Sequence, residues 1–197
     1  LFTNIGVRIM GSYDWSGNRE TRVAQGHNSA YVSEDGEIYM VYHSRFAEGK
    51  NGITEAHEVR VQQLFVNEAG WLVAAPYEYT GEHISKTGYD MEQMCGEYEF
   101  IIHTPTTYYQ KAGKATVGIM QPSHITLNKD GSVTGELTGS WTYEEGSPNM
   151  TITLDGITYQ GVFLKMPSEK LYFNQKQREV VMTFTVLGNN VTAWGSK

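Results

Sequence analysis

The chain has 197 residues, enough for one large or two small domains, with 40% hydrophobic residues, 12% aromatic residues, 21 Gly and only 5 Pro. This composition is typical of a soluble protein with many short strands and tight turns. The net charge of -7 disfavours binding to the phosphate backbone of nucleic acid, and no segment approaches the roughly 18 apolar residues of a membrane-spanning helix. The single cysteine, Cys95, cannot form an internal disulfide or a zinc site that requires a second cysteine.

The first residues indicate a chain that belongs to something longer. Leu1 is not an initiator Met, and residues 1–10 show no basic region followed by an apolar stretch. No targeting peptide is therefore visible here. We expect the downstream part of a larger protein, or a processed product.

The first 80 residues predict an antiparallel meander. Alternating Ile5, Val7 and Ile9 indicate a strand, and the polar stretch 12–25 indicates a surface loop that carries Tyr13 and Trp15. Residues 26–45 are two strand-like runs around Asp-Gly at 35–36, which is a hairpin signal. Strands over 58–66 and 71–73 follow, joined by a turn over 67–70. A four-strand meander of this kind is the unit of a propeller blade.

The remaining residues predict a second all-β domain. The composition shifts after Pro76, and the polar stretch 77–94 has no sustained period. A linker is therefore placed around 80–88, with the boundary between residues 1–80 and 81–197. A second hairpin is signalled by Asp155-Gly156. Strands are predicted over 96–103, 115–120, 124–127, 132–137, 140–144, 150–154, 157–164, 180–187 and 191–194. Such a series without a long helix is typical of a closed barrel or a sandwich.

Acidic side chains offer no clear catalytic pair. Sugar hydrolysis needs two carboxyl groups about 5 to 10 Å apart. Three aspartates precede a glycine in a predicted turn, where a local hydrogen bond to the backbone is their usual role. Four glutamates lie beside turns and strand ends, as on a solvated face. These residues are Asp35, Asp130, Asp155, Glu34, Glu37, Glu58 and Glu68.

His27 is the histidine with the most suggestive position. It follows Gly26 at the predicted mouth of the first hairpin strand. A histidine there can point into a cleft, so a ligand or catalytic role stands beside that of a hydrogen-bonded structural residue.

Several segments together resemble the family 43 glycoside hydrolases, and in particular their two-domain endo-acting α-1,5-L-arabinanases. Residues 1–80 resemble the last part of the catalytic propeller, and the tail from Gly96 to Lys197 resembles the β-barrel domain that follows it. The segments that carry the likeness are VRIMGSY (7–13), GHNS (26–29), IYMVYHSR (38–45), HEVRV (57–61), FVNEAGW (65–71) and APY (75–77).

The resemblance implies an all-β chain: the closing portion of a five-bladed β-propeller, followed by an antiparallel, lipocalin-like β-barrel. It implies cleavage of α-1,5-linked L-arabinofuranosyl bonds in arabinan with inversion, in an extracellular or periplasmic enzyme. The family's three catalytic acids lie on earlier blades, so none is assigned in this chain. We therefore expect the chain alone to be inactive and to require an upstream propeller polypeptide as its partner.

The resemblance also implies a role for one histidine. In the family's Gly-His-Asn-Ser segment the histidine faces the central cavity and helps hold a metal ion, usually calcium. His27 matches that histidine and becomes a predicted metal ligand. The other histidines have no such match and are expected to be structural or at the surface: His43, His57, His83, His103 and His124.

A different class of function remains open. The barrel could be a non-catalytic module that binds a glycan or small ligand, because aromatic rings stack on sugar faces. Aromatic residues in alternating strands are also common in cores, so a packing role stands against this one. The candidates are Tyr108, Tyr109, Trp141 and Tyr143.

Overall fold

The computed structural model describes residues 6–18, 21–47, 56–106, 118–170 and 178–197. These residues form an almost entirely β protein with two sheets. No helix in these ranges has the length and apolar composition needed to cross a bilayer. Half of the predicted strand 115–120 falls outside the described residues, and residues 118–120 form no strand, only an isolated bridge from Met120 to Tyr13. Tyr108 and Tyr109 also lie outside the described residues.

The first sheet is a four-stranded antiparallel meander, as predicted. Its order follows the sequence, with β1 (Arg22–Val32), β2 (Ile38–Phe46), β3 (His57–Val66) and β4 (Leu72–Ala74). The predicted hairpin is confirmed, since Val32 pairs with Ile38 and Gly36 takes a φ of 82° in the turn between them. That conformation is easy for glycine and costly for residues with a Cβ.

The second sheet closes into an eight-stranded barrel, which settles the choice between barrel and sandwich. A four-residue helix, α1 (Met91–Met94), precedes it. Around the barrel the order is β10-β11-β12-β5-β6-β7-β8-β9. The strands are β5 (Gly96–Ile102), β6 (Ser123–Leu127), β7 (Ser132–Gly135), β8 (Gly139–Tyr143), β9 (Asn149–Leu154), β10 (Ile157–Pro167), β11 (Val180–Gly188) and β12 (Val191–Ser196).

Side chains fill the barrel, because alternate residues of its strands point inward. The buried cluster there includes Tyr98, Phe100, Phe163 and Phe184. The predicted two-residue turn at Asp155-Gly156 is confirmed, with φ values of 49° and 82° and Leu154 paired with Ile157.

Two sequence-based expectations for the N-terminal residues are wrong. Residues 6–10 form no strand, and only an isolated bridge joins Arg8 to Val191. The segment that follows is not a surface loop, since Tyr13 and Trp15 are fully buried. Both rings contact Trp194 of β12, with centroids 5.1 and 6.5 Å away.

A second core lies between the meander and the barrel. It joins Met40 and Leu64 of the meander to Leu164 and Trp194 of the barrel. The Trp194 indole N–H donates a hydrogen bond to the Ala74 carbonyl at 2.8 Å. Shared apolar burial and direct hydrogen bonds therefore hold the sheets against each other.

Candidate functional site

His27 lies inside β1 and not at the mouth of a strand. Register shifts on both sides of Gly26 interrupt the pairing of β1 with β2, and the next paired residue is Ser29. His27 stands at this bulge with a φ of 47°. A non-glycine residue in the left-handed region is uncommon, and such outliers concentrate at functional sites. The bulge re-aims the imidazole, which is exposed to solvent.

His43 lies beside His27 and His57 lies beside His43, and the sequence interpretation assigned neither of them to a site. His43 of β2 brings its Nδ1 to 3.1 Å from the Nδ1 of His27. The His57 ring of β3 stacks on His43, with centroids 5.5 Å apart and planes 16° apart. We refer to His27, His43 and His57 as the histidine cluster.

The register of the first hairpin could have predicted that His27 and His43 lie close together. Pairing continues without a shift from Val32–Ile38 to Ser29–Val41. Extending that count places His27 opposite His43, and the bulge moves the partner by only one position, to Gly26. Cross-strand neighbours can therefore be counted outward from a confidently placed turn.

The histidine cluster can offer few protein ligands to a metal. Within the described ranges, no group of three or more His, Cys, Asp or Glu side chains is arranged to hold a metal ion. His27 nevertheless presents its Nε2 without a hydrogen-bond partner among the described residues. Because calcium prefers oxygen ligands, one imidazole would have to be supplemented by waters or by ligands from elsewhere.

Of the three turn aspartates, Asp130 makes the local hydrogen bonds expected of it. Asp130 accepts hydrogen bonds from the Ser132 N–H at 2.9 Å and the Ser132 hydroxyl at 2.6 Å. These bonds lower the pKa of the Asp130 carboxyl. Asp35 is exposed in its turn and Asp155 occupies its hairpin turn.

The expectation of a simple solvated face fails for two of the glutamates. Glu37 accepts a 2.6 Å hydrogen bond from the Tyr39 hydroxyl, and this bond, with one from His83, lowers its pKa. Glu58 pairs with Arg22 and Arg60, each at 3.0 Å. Among the others, Glu34 is exposed and Glu68 lines a small surface pocket beside Tyr143.

Arg60 is the centre of a buried polar network that sequence reasoning missed. Its guanidinium contacts Glu58, Glu78 at 3.5 Å, and Glu169 of the barrel domain. Its Nε–H donates to the Tyr42 hydroxyl at 3.2 Å. Glu169 also accepts the backbone N–H of Glu78 at 2.7 Å. This network ties the meander to the barrel, because Arg60 lies on β3 and its partner Glu169 follows β10. A buried charge such as that of Arg60 requires close partners.

The remaining histidines have structural or surface positions. His83 contacts Glu37 at 3.0 Å in an exposed pair, and His124 is exposed on β6. His103 is fully buried, and its Nδ1 accepts the Gly11 N–H at 3.1 Å. Burial, followed by the charge of Arg8, lowers the pKa of His103 to about 3.

The two aromatic candidates within the described residues, Trp141 and Tyr143, pack against the barrel. Trp141 is buried, donates its indole N–H to the Asn128 carbonyl at 2.8 Å and packs edge-on against Phe163. Tyr143 is half-buried and stacks on Trp141. Their positions match the packing role.

Comparison with known proteins adds a family and named relatives. The family GH43_C, described as a C-terminal lipocalin-like domain, matches residues 76–195. An extracellular endo-α-(1→5)-L-arabinanase 2 of Bacillus subtilis is 40% identical over 98% of this chain and 38% of the relative. An extracellular endo-α-(1→5)-L-arabinanase of Thermotoga petrophila is 35% identical over 99% of this chain and 39% of the relative.

Solved structures agree over the same stretch. A family 43 glycoside hydrolase from Bacillus licheniformis, the YxiA protein, matches with a TM-score of 0.82 and 34% identity over 98% of this chain and 39% of that one. The T. petrophila endo-1,5-α-L-arabinanase matches with a TM-score of 0.78 and 34% identity over 96% of this chain and 40% of that one. The chain thus spans about two fifths of the length of these relatives, corresponding to their C-terminal portion.

Proposed function

The chain belongs to the GH43_C family of C-terminal lipocalin-like domains, and from this we infer that it is the C-terminal portion of an extracellular family 43 glycoside hydrolase that cleaves α-1,5-linked arabinan. The observation that carries the proposal is the 35 to 40% identity to two arabinanases over almost the whole chain. The likeness includes the meander as well as the barrel, since it extends beyond the residues that the family profile matches.

In this proposal the meander is the closing blade of a propeller, and the preceding blades belong to an upstream polypeptide. The exposed face of the meander supports this role. Tyr31 and Val59 are 57% and 73% exposed there, and they pair with Tyr39 and His43 of β2. The strand at one edge, β1, is also long. Exposed apolar residues beside an open edge are typical of a sheet that a neighbour covers.

The chemistry of hydrolysis is assigned to the upstream polypeptide. Inversion requires one carboxylic acid to protonate the leaving oxygen and one carboxylate to activate water on the opposite face of the sugar. The described acids of this chain lie in turns, at the surface or in ion pairs, and none is proposed as a catalytic residue. In this proposal the chain contributes the propeller's closing blade and the barrel packed against it.

His27 is proposed as this chain's ligand to a calcium ion at the centre of the propeller. Its exposed imidazole on the edge strand and its strained backbone support that role. Such an ion would stiffen the pocket and favour the ionised form of nearby carboxylates. The protein's own contribution is to fix the imidazole where the ion can reach it.

The proposal is tested by release of arabino-oligosaccharides from linear arabinan. We expect activity from the complete protein, none from this chain alone, and recovery when the upstream polypeptide is added. His27→Ala in the complete protein should lower activity by orders of magnitude, whereas His124→Ala, on an exposed barrel strand, should leave it unchanged. Hydrolysis by the purified chain alone, after a control for contaminating enzyme, would show that a catalytic pair lies among its own carboxylates.

A further inference from the structure

Two buried side-chain donors line the same cavity without an acceptor. Arg8 lies on the segment before β1 and Gln25 lies on β1, and both line two adjoining cavities of about 280 Å³ each. The Arg8 Nε–H and the Gln25 amide nitrogen are buried, and neither has a hydrogen-bond partner among the described residues. Because a buried donor without an acceptor is costly, the cavity fits a group that supplies acceptor atoms.

The Arg8 guanidinium is held in place by its own chain. The Arg8 backbone N–H donates to the Asn190 carbonyl at 2.9 Å, and the Arg8 carbonyl accepts the Thr192 N–H at 3.0 Å. Its Nη2 donates to the Thr106 carbonyl at 3.0 Å, and the guanidinium lies against Gly11, where a Cβ would overlap it. Burial lowers the pKa of this group, and no carboxylate of the described residues forms an ion pair with it. A fixed, partly buried cation therefore lines the cavity without a counter-charge from the described part of the chain.

An irregularity in β1 directs Gln25 to the same cavity. The pairing of β1 with β2 is interrupted between Val23 and Gly26, and Ala24 takes a φ of 53° there. The Ala24 N–H donates to the Ser12 Oγ at 3.2 Å. A left-handed alanine inside a strand is uncommon, and such positions concentrate at functional sites. The bulge thus aims the Gln25 side chain at the cavity that Arg8 lines.

We propose that this cavity receives an Asp or Glu side chain of the upstream propeller polypeptide. We refer to it as the Arg8 socket, lined by Arg8, Gln25, Met10, Val7 and Ile9. The inference rests on the proposed function, in which that polypeptide precedes the meander. A carboxylate carries two acceptor oxygens and a negative charge, so one group can accept from both donors and neutralise the guanidinium.

The position of the Arg8 socket favours the upstream polypeptide over a small free acid. β1 is an edge strand of the meander, and the proposed function assigns that edge to the preceding blade. The walls of the socket include the half-buried Val7 and Ile9 and the buried Met40. Apolar walls around a charged group match an acidic side chain, whose hydrocarbon stem and neighbours can cover them, better than a hydrated ion.

The test compares melting temperatures of the complete protein and of this chain alone. Arg8→Met keeps an unbranched side chain but removes the charge. In the complete protein it would leave the upstream carboxylate buried without its partner, so the melting temperature should fall by about 2 °C or more. In this chain alone it removes an uncompensated cation, so the melting temperature should stay the same or rise. Gln25→Leu should show the same contrast. Lys129→Met, in an exposed pair with Glu92, is the control and should shift both proteins equally, by less than about 1 °C.

The other outcomes each overturn a stated part of the inference. Equal shifts in the two proteins would overturn it, because Arg8 and Gln25 would then act only within this chain. Sodium propionate that stabilises the complete wild type more than sodium chloride does, and has no such effect on Arg8→Met, would show that the socket takes a free carboxylate and would overturn the assigned source. If Arg8→Met prevents folding of both proteins, Gln25→Leu decides by the same comparison. Hydrolysis of linear arabinan by the complete wild type is measured separately, and its absence would refute the proposed function without altering the thermal comparison.

Discussion

Acidification should destabilise this chain through one buried imidazole. His103 has an ordinary pKa of 6.5 when exposed and about 3 in the fold, where burial and then the charge of Arg8 oppose protonation. Its Nδ1 accepts the Gly11 N–H, its Nε2 has no partner among the described residues, and its ring packs edge-on against Trp194 at 4.1 Å. The folded state offers no acceptor for an added proton.

The direction and size of the change in the free energy of unfolding follow from the difference between the folded and unfolded pKa values of His103. Between about pH 6.5 and 3 the unfolded state binds more protons at this position than the folded state, so the free energy of unfolding falls as the pH falls. The full difference between the two pKa values corresponds to about 5 kcal/mol. From about pH 8 to pH 5 the expected loss is about 2 kcal/mol, and by about pH 3.5 it is about 4 kcal/mol.

Urea unfolding at a series of pH values, followed by tryptophan fluorescence, measures this effect. His103→Asn keeps an acceptor for the Gly11 N–H but cannot titrate, so it should be less stable at pH 8 and lose about 2 kcal/mol less on acidification to pH 5. His124→Asn, at an exposed position, should follow the wild-type profile. Parallel profiles for wild type and His103→Asn would refute the reasoning, because the carboxylates would then account for all the acid sensitivity.

Two further substitutions test the packing of the fold by the same unfolding assay. Glu169→Gln removes the barrel's carboxylate from the buried Arg60 and should cost about 1 to 3 kcal/mol, while Glu92→Gln in an exposed pair should cost less than about 1 kcal/mol; equal losses would argue against a buried network. Gly161→Ala places a Cβ against the Thr185 carbonyl across the β10–β11 pair and should cost about 1 to 3 kcal/mol or prevent folding; a variant as stable as wild type would mean that the strands separate there without penalty.

The strands and turns were largely predictable because their signals are local. Alternation of apolar residues and Asp-Gly turns placed the hairpin before β2 and the hairpin before β10, and the structure has both. Apolar alternation and turn residues could not distinguish a barrel from a sandwich. Closure depends on pairing between β5 and β12, which are far apart in the sequence.

The errors arose where a distant partner decides the environment of a residue. Tyr13 and Trp15 lie in a polar stretch, and distant residues bury them, among them Trp194 of the last strand and Tyr77. Arg60 had the pattern of an ordinary strand residue, yet its acidic partner Glu169 is 109 positions away. A charged residue between Val59 and Val61 would be expected to face solvent. Tertiary packing reverses that expectation, because Arg60 is buried and Val59 is exposed.

The histidine cluster was predictable in part. The proximity of His27 and His43 could be derived from the sequence, whereas the bulge at His27 could not. Counting outward from the Asp35-Gly36 turn brings His27 and His43 together, so their proximity follows from register alone. The bulge does not follow from it, since no residue type near Gly26 demands the positive φ of His27. The Nδ1 atoms of His27 and His43 lie 3.1 Å apart, so the bulge and this cross-strand contact together determine where the His27 imidazole stands.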